Sequence, residues 1–109
     1  LRESYNRFVL AVGGMGLAPY VRIVAGASHL VDGNFAEETI DVLHIDGNHS
    51  EQSSSRDAGL YLPKVKTGGY VWMDDTDWPS TQAAVAIVEQ KCEVVRDFKQ
   101  YRLYKKVRA

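Results

Sequence analysis

Two short apolar segments, Asp41–Asp46 (DVLHID) and Tyr70–Asp74 (YVWMD), each end on a carboxylate, and the residues between them leave room for one helix. Both segments are rich in β-branched and aromatic residues, which reads as strand. Strands joined through a helix lie parallel in one sheet. The other segments extend that pattern. Glu3–Val12 sets Tyr5, Phe8, Val9 and Val12 at helical spacing and stops at Gly13-Gly14; Val21–Ala25 (VRIVA) reads as a strand and Phe35–Thr39 as a short helix. Ser50 can start a helix that runs to about Leu62, Lys64–Gly69 reads as a turn, and Thr81–Gln90 as a helix with small apolar residues for close packing. Cys92–Phe98 and Tyr101–Val107 are strands separated by so few residues that they must form an antiparallel hairpin. The expected fold is a single α/β domain over residues 1–109 with a mainly parallel sheet and a C-terminal antiparallel hairpin.

Composition removes several classes of function. With 13 basic and 14 acidic residues the net charge is -1, which gives neither the footprint of a nucleic-acid binder nor a polybasic segment for a membrane. No apolar run approaches the roughly 20 residues of a membrane helix. Cys92 is the single cysteine, so there is no internal disulfide and a reducing, cytoplasmic setting is expected. Gly13-Gly14-Met15-Gly16 superficially resembles a phosphate-binding loop, but only Leu17–Tyr20 separate it from the next expected strand, too few for the helix such a loop opens.

In parallel sheets ligands gather at the carboxyl ends of strands. Here those ends are Gly26-Ala27-Ser28, Asp46-Gly47-Asn48-His49 and Asp74-Asp75. Asp46, Asp74 and Asp75 are expected to converge. Like charges that close repel, and a divalent ion such as Mg²⁺ relieves this with all-oxygen coordination. His49, three residues past Asp46, could then take a proton from a substrate hydroxyl acidified by the metal. A plainer reading stands beside each. Adjacent aspartates also serve as turn and helix-cap residues, and a loop histidine can make one backbone hydrogen bond and nothing more. His44 lies inside a strand and reads as structural, His29 is ambiguous, and Trp78 and Tyr61 read as packing residues.

Ile40–His49 (IDVLHIDGNH), Asp57, the stretch from Leu62 to Gly69 and Tyr70–Asp75 together resemble the fourth strand, following helix and fifth strand of class I S-adenosylmethionine-dependent methyltransferases. The likeness covers roughly Val21–Val88, and the terminal hairpin is similar to that fold's last two strands. Within the superfamily the carboxylates look like those of magnesium-dependent sugar O-methyltransferases of the macrocin and mycinamicin type. The resemblance implies a Rossmann-like fold, Asp46, Asp74 and Asp75 as metal ligands, and His49 as general base assisted by Asp46. It also implies Gly26, Ala27 and Ser28, with Asp46, near the cofactor, and a sugar or small metabolite bearing a hydroxyl as acceptor. The glycine-rich loop after that fold's first strand, and the acidic residue after its second, have no counterpart here. The chain therefore reads as the C-terminal half of the fold, without its first two strands. An unpaired, apolar edge on the Val21–Ala25 strand would then invite self-association or the missing half. The rival expectation is a noncatalytic α/β module that uses this edge for assembly.

Overall fold

A computed structural model describes residues 2–109. Helix α1 spans Arg2–Gly14. It ends where Gly16 takes a left-handed φ of 69° and Leu17 N–H donates to Val12 O at 2.9 Å, so glycine closes the last turn without a Cβ clash. After a 3₁₀ turn at Ala18–Tyr20 come a short helix α2 (Ser28–Val31) and strand β1 (Ile40–Ile45). Helix α3 (Glu51–Tyr61) follows, then strand β2 (Val65–Asp74), helix α4 (Gln82–Glu89), and strands β3 (Cys92–Asp97) and β4 (Tyr101–Lys106).

The four strands form one sheet in the order β1-β2-β4-β3. The first pair is parallel and the other two are antiparallel, with β3–β4 the expected hairpin. Alternation along β2 sends Val71 and Met73 to one face, where they are fully buried, and leaves Trp72 and Asp74 on the other. Helices α3 and α4 cover the first face. Ala58 and Ala84, both at zero exposure, let the helices approach closely, and Leu62, Val65, Val85, Val88 and Tyr104 complete the core. The Tyr104 hydroxyl donates to Glu89 at 2.8 Å, and burial pushes its phenol up to about 12. Cys92 is a buried free thiol, pushed up to about 11 by the same effect.

Three local expectations are corrected. Val21–Ala25 joins no strand, because β-branched composition favours a strand only where a neighbour exchanges hydrogen bonds with it, and none of the described residues does. The free edge beside the parallel pair therefore belongs to β1. The helix expected at Phe35–Thr39 lies earlier, at α2 with a 3₁₀ turn over Asp32–Asn34; Glu38 has a φ of 55° and holds Thr67 through its carboxylate. The supposed turn at Lys64–Gly69 is largely a bulge inside β2. Ile40 pairs with Val65 and Val42 with Tyr70, so β2 advances five residues while β1 advances two. Gly69 allows this, since a Cβ there would sit 2.8 Å from Asp41 O.

Among the described residues no helix is long and apolar enough to cross a membrane. One buried cation anchors the lower end of the sheet. Lys106, at 1% exposure, donates to Leu62 O at 3.1 Å and Val65 O at 2.7 Å, satisfying carbonyls where α3 gives way to β2. Lys106→Met keeps the stem but removes the side-chain donor to Val65 O and leaves Leu62 O only the Val65 N–H of the 3₁₀ turn, and we expect a loss of about 1–3 kcal/mol, read as a lower urea midpoint at unchanged slope. An unchanged midpoint would mean that water satisfies these carbonyls.

Candidate functional site

The register of the parallel pair builds the site. Ile45 faces Met73, so the next residues, Asp46 and Asp74, emerge together at the carboxyl ends of β1 and β2. Past β1, Gly47 leads into Asn48, whose side chain accepts from Ser50 N–H at 2.8 Å, and Ser50 caps α3 by accepting from Ser53 N–H at 3.1 Å. This turn fixes His49. Past β2, Asp75 takes a φ of 51°, an uncommon conformation for a non-glycine residue that recurs at functional sites.

Asp75 Oδ2 pairs with His49 Nε2, while the Asp74 carboxylate accepts from Asp75 N–H at 3.0 Å. The His49 ring also stacks on Trp78, with centroids 4.5 Å apart and planes inclined by 27°. His49 and Asp75 keep 32% and 27% of their side-chain surface exposed, so the pair is sheltered yet reachable. The loop carrying Asp75 and Trp78 is pinned from several sides. Thr81 Oγ1 donates to Asp75 O at 2.7 Å, the Gln82 side chain donates to Thr76 O and Trp78 O, and Thr76 N–H donates to Gln100 O at 3.0 Å.

Asp46 belongs to two sets of metal-capable side chains whose donor atoms lie within 4.8 Å of one another: His44, Asp46 and Asp74, and Asp46, His49 and Asp75. Asp74 and Asp75 thus fall in different sets, each completed by an imidazole. Either donor chemistry fits a divalent cation with coordination positions left for water or substrate. Sequence reasoning had assigned His44 to structure and Trp78 to packing. The signal for His44 was available, because a residue two before Asp46 on a strand shares its face.

A cavity of about 310 Å³ opens beside the end of β1, lined by Ser28, Leu43, His44, Asp46, Asp57 and Tyr61 among others. Ser28 Oγ donates to Asp57 at 2.5 Å and Tyr61 OH donates to Ser28 O at 2.5 Å, so both residues of α3 tie the start of α2 to the rim. Burial, reinforced by the charges of Asp32 and Asp57, raises the Tyr61 phenol above its ordinary value and keeps it a donor at neutral pH. Of the three residues expected near a cofactor's adenine, Ser28 lines the cavity; Gly26 and Ala27 precede it and do not. Gly26 has a φ of 149°, and a Cβ there would meet Val31 at 2.8 Å. The size lies at the small end for ligand sites, and the carboxylates suit a ligand with hydroxyls or positive charge.

Residues 3–76 match a family described as a methyltransferase domain. The chain belongs to that family. The matched span includes Asp46, His49, Asp74 and Asp75. A structural-genomics protein from Corynebacterium glutamicum superposes on the whole of this chain with a TM-score of 0.76 and 16% identity, a likeness of fold. The O-methyltransferase NovP aligns with 65% of the chain at a TM-score of 0.54 and 26% identity. The chain spans 58% and 31% of the lengths of those two proteins. No curated protein matches it. The fold is that of class I methyltransferases, and the family implies S-adenosylmethionine as methyl donor.

The stack makes a direct prediction. Trp78→Ala removes the ring current over His49, so the His49 ring-proton resonances should move downfield in ¹H NMR while those of His29 stay in place. Unmoved His49 resonances would show that the two rings do not stack in solution.

Proposed function

We propose that this chain carries the acceptor side of a methyltransferase that moves a methyl group from S-adenosylmethionine to a hydroxyl of a sugar or small metabolite. The observation that carries the reading is the His49–Asp75 pair beside Asp46, at the ends of neighbouring parallel strands in a methyltransferase domain. Similarity to an O-methyltransferase supports oxygen as the acceptor atom.

With Nε2 held by Asp75, the free nitrogen of His49 is Nδ1, and Asp75 stabilises the imidazolium formed when Nδ1 takes a proton. Trp78 fixes the ring plane, so the accepting lone pair keeps one direction. The acceptor hydroxyl gives its proton to Nδ1 as its oxygen bonds to the methyl carbon, and the electrons of the broken carbon–sulfur bond remain on sulfur. When bound, S-adenosylmethionine supplies that methyl on a positively charged sulfur. A divalent ion held by Asp46 with Asp74 and Asp75, Mg²⁺ if the carboxylates alone set the choice, would orient and acidify the hydroxyl. Ser28, with Gly26, Ala27 and Asp46, would flank the cofactor's adenosine.

Isothermal titration with S-adenosylhomocysteine, with and without Mg²⁺, on this chain and on any longer chain that contains it, tests the reading. Saturable binding is expected. Absence of binding by both overturns it. In the form that turns over, His49→Ala should lower the rate by about 10²–10⁴-fold and leave S-adenosylhomocysteine affinity intact.

A second reading, a noncatalytic module that assembles with itself or a partner, draws on α1, where Tyr5, Phe8 and Leu10 are 46%, 51% and 74% exposed. Light scattering that shows a monomer at high concentration would count against self-assembly.

A further inference from the structure

His44, Asp46 and Asp74 meet on the sheet face opposite the α3 and α4 helices. His44 and Asp46 are two residues apart at the end of β1, so their side chains share a face; His44 pairs in register with Trp72, and Asp46 comes level with Asp74 one step past the Ile45–Met73 pair. Their donor atoms already lie within 4.8 Å of one another. Metal bonds of about 2.0–2.2 Å to nitrogen and oxygen require an inward rotation of the exposed His44 and Asp46 side chains toward the half-buried Asp74, whose Oδ1 accepts from Asp75 N–H at 3.0 Å. Among the described residues no hydrogen bond engages the His44 ring or the Asp46 carboxylate, and the Trp72 ring meets His44 edge to face at 6.4 Å, which limits how the imidazole turns. The 310 Å³ cavity lined by His44 and Asp46 leaves open coordination positions on one side.

Asp75 is differently placed. Its left-handed backbone carries the carboxylate toward His49, where Nε2 occupies one of its oxygens. A metal drawn to Asp75 would compete with the imidazole for that oxygen, whereas one at His44, Asp46 and Asp74 leaves the His49–Asp75 pair whole.

We propose that His44, Asp46 and Asp74 form a nitrogen–oxygen–oxygen metal site that takes a first-row transition dication of the Co²⁺ to Zn²⁺ group in preference to Mg²⁺. The imidazole nitrogen sets the preference, because nitrogen donors favour the later dications and Mg²⁺ keeps to oxygen. The inference rests on the reading of Asp46 as the metal-holding residue of a methyltransferase and refines it: His44 replaces Asp75 as the third ligand, and Asp75 acts on His49 alone.

The test is isothermal titration of the chain with Zn²⁺, Co²⁺ and Mg²⁺, together with the visible absorption of the Co²⁺ form. Zn²⁺ and Co²⁺ should bind more tightly than Mg²⁺. His44→Gln, an exposed substitution that spares the core, should weaken Zn²⁺ by at least about tenfold and change the Co²⁺ spectrum; loss of a direct ligand should cost no less than loss of an outer partner. Asp75→Asn should leave Zn²⁺ affinity and the spectrum unchanged. The proposal is overturned if Asp75→Asn weakens Zn²⁺ and His44→Gln does not, if Mg²⁺ binds as tightly as Zn²⁺, or if no metal binds. S-adenosylhomocysteine titration without metal, on this chain and on any longer chain that contains it, separates the two readings, since failure by both removes the methyltransferase function and leaves the metal result standing.

Discussion

The parallel pairing of β1 with β2 is the constraint on which the site depends. A one-residue slip would turn Val71 and Met73 off the helices and carry Asp74 to the buried face. The apolar residues that hold the register are therefore the ones that align Asp46 with Asp74. Burial of Ile45, Val71 and Met73 beneath α3 and α4 supplies the energy, and the position of the carboxylates follows as geometry. The bulge over Lys66–Gly69 takes up the extra length of β2 near its start, so the paired ends stay level.

Much of this was legible in the sequence, for reasons that differ by element. The strand at Ile40–Ile45, the Tyr70–Asp74 half of β2, the Ser50 cap, α4 and the final hairpin follow from periodicity, cap chemistry and loop length, all local properties. Val21–Ala25 carries the same local signature as β1 and yet pairs with none of the described residues, because a strand is a relation between two segments and sequence displays only one of them. The reading of Lys64–Gly69 as a turn failed in the opposite direction: its glycines mark a close backbone approach inside a strand as readily as a chain reversal.

The site shows the same division. Asp46, His49, Asp74 and Asp75 stand where strands end, and that rule located them. Their partition into two sets was not legible, since it depends on the left-handed conformation of Asp75 and on Trp78 meeting His49 across a loop. His44 reads as structural because a histidine within a strand usually is, although its spacing of two from Asp46 already puts both side chains on one face.

The hairpin of β3 and β4 lies beyond the span matched to the methyltransferase family, yet the site leans on it. Thr76, at 1% exposure, donates to the carbonyls of Lys99 and Gln100 at the hairpin turn, and Asp75 and Trp78 are held on either side of that anchor. At the start of β4 Tyr101 stacks against Trp72 at 5.2 Å, and Trp72 meets His44. The hairpin thus reaches both sets of metal-capable side chains, one through a backbone anchor and the other through a row of rings. The carboxyl ends of β1 and β2 supply the chemical groups; the hairpin determines how firmly they are aimed.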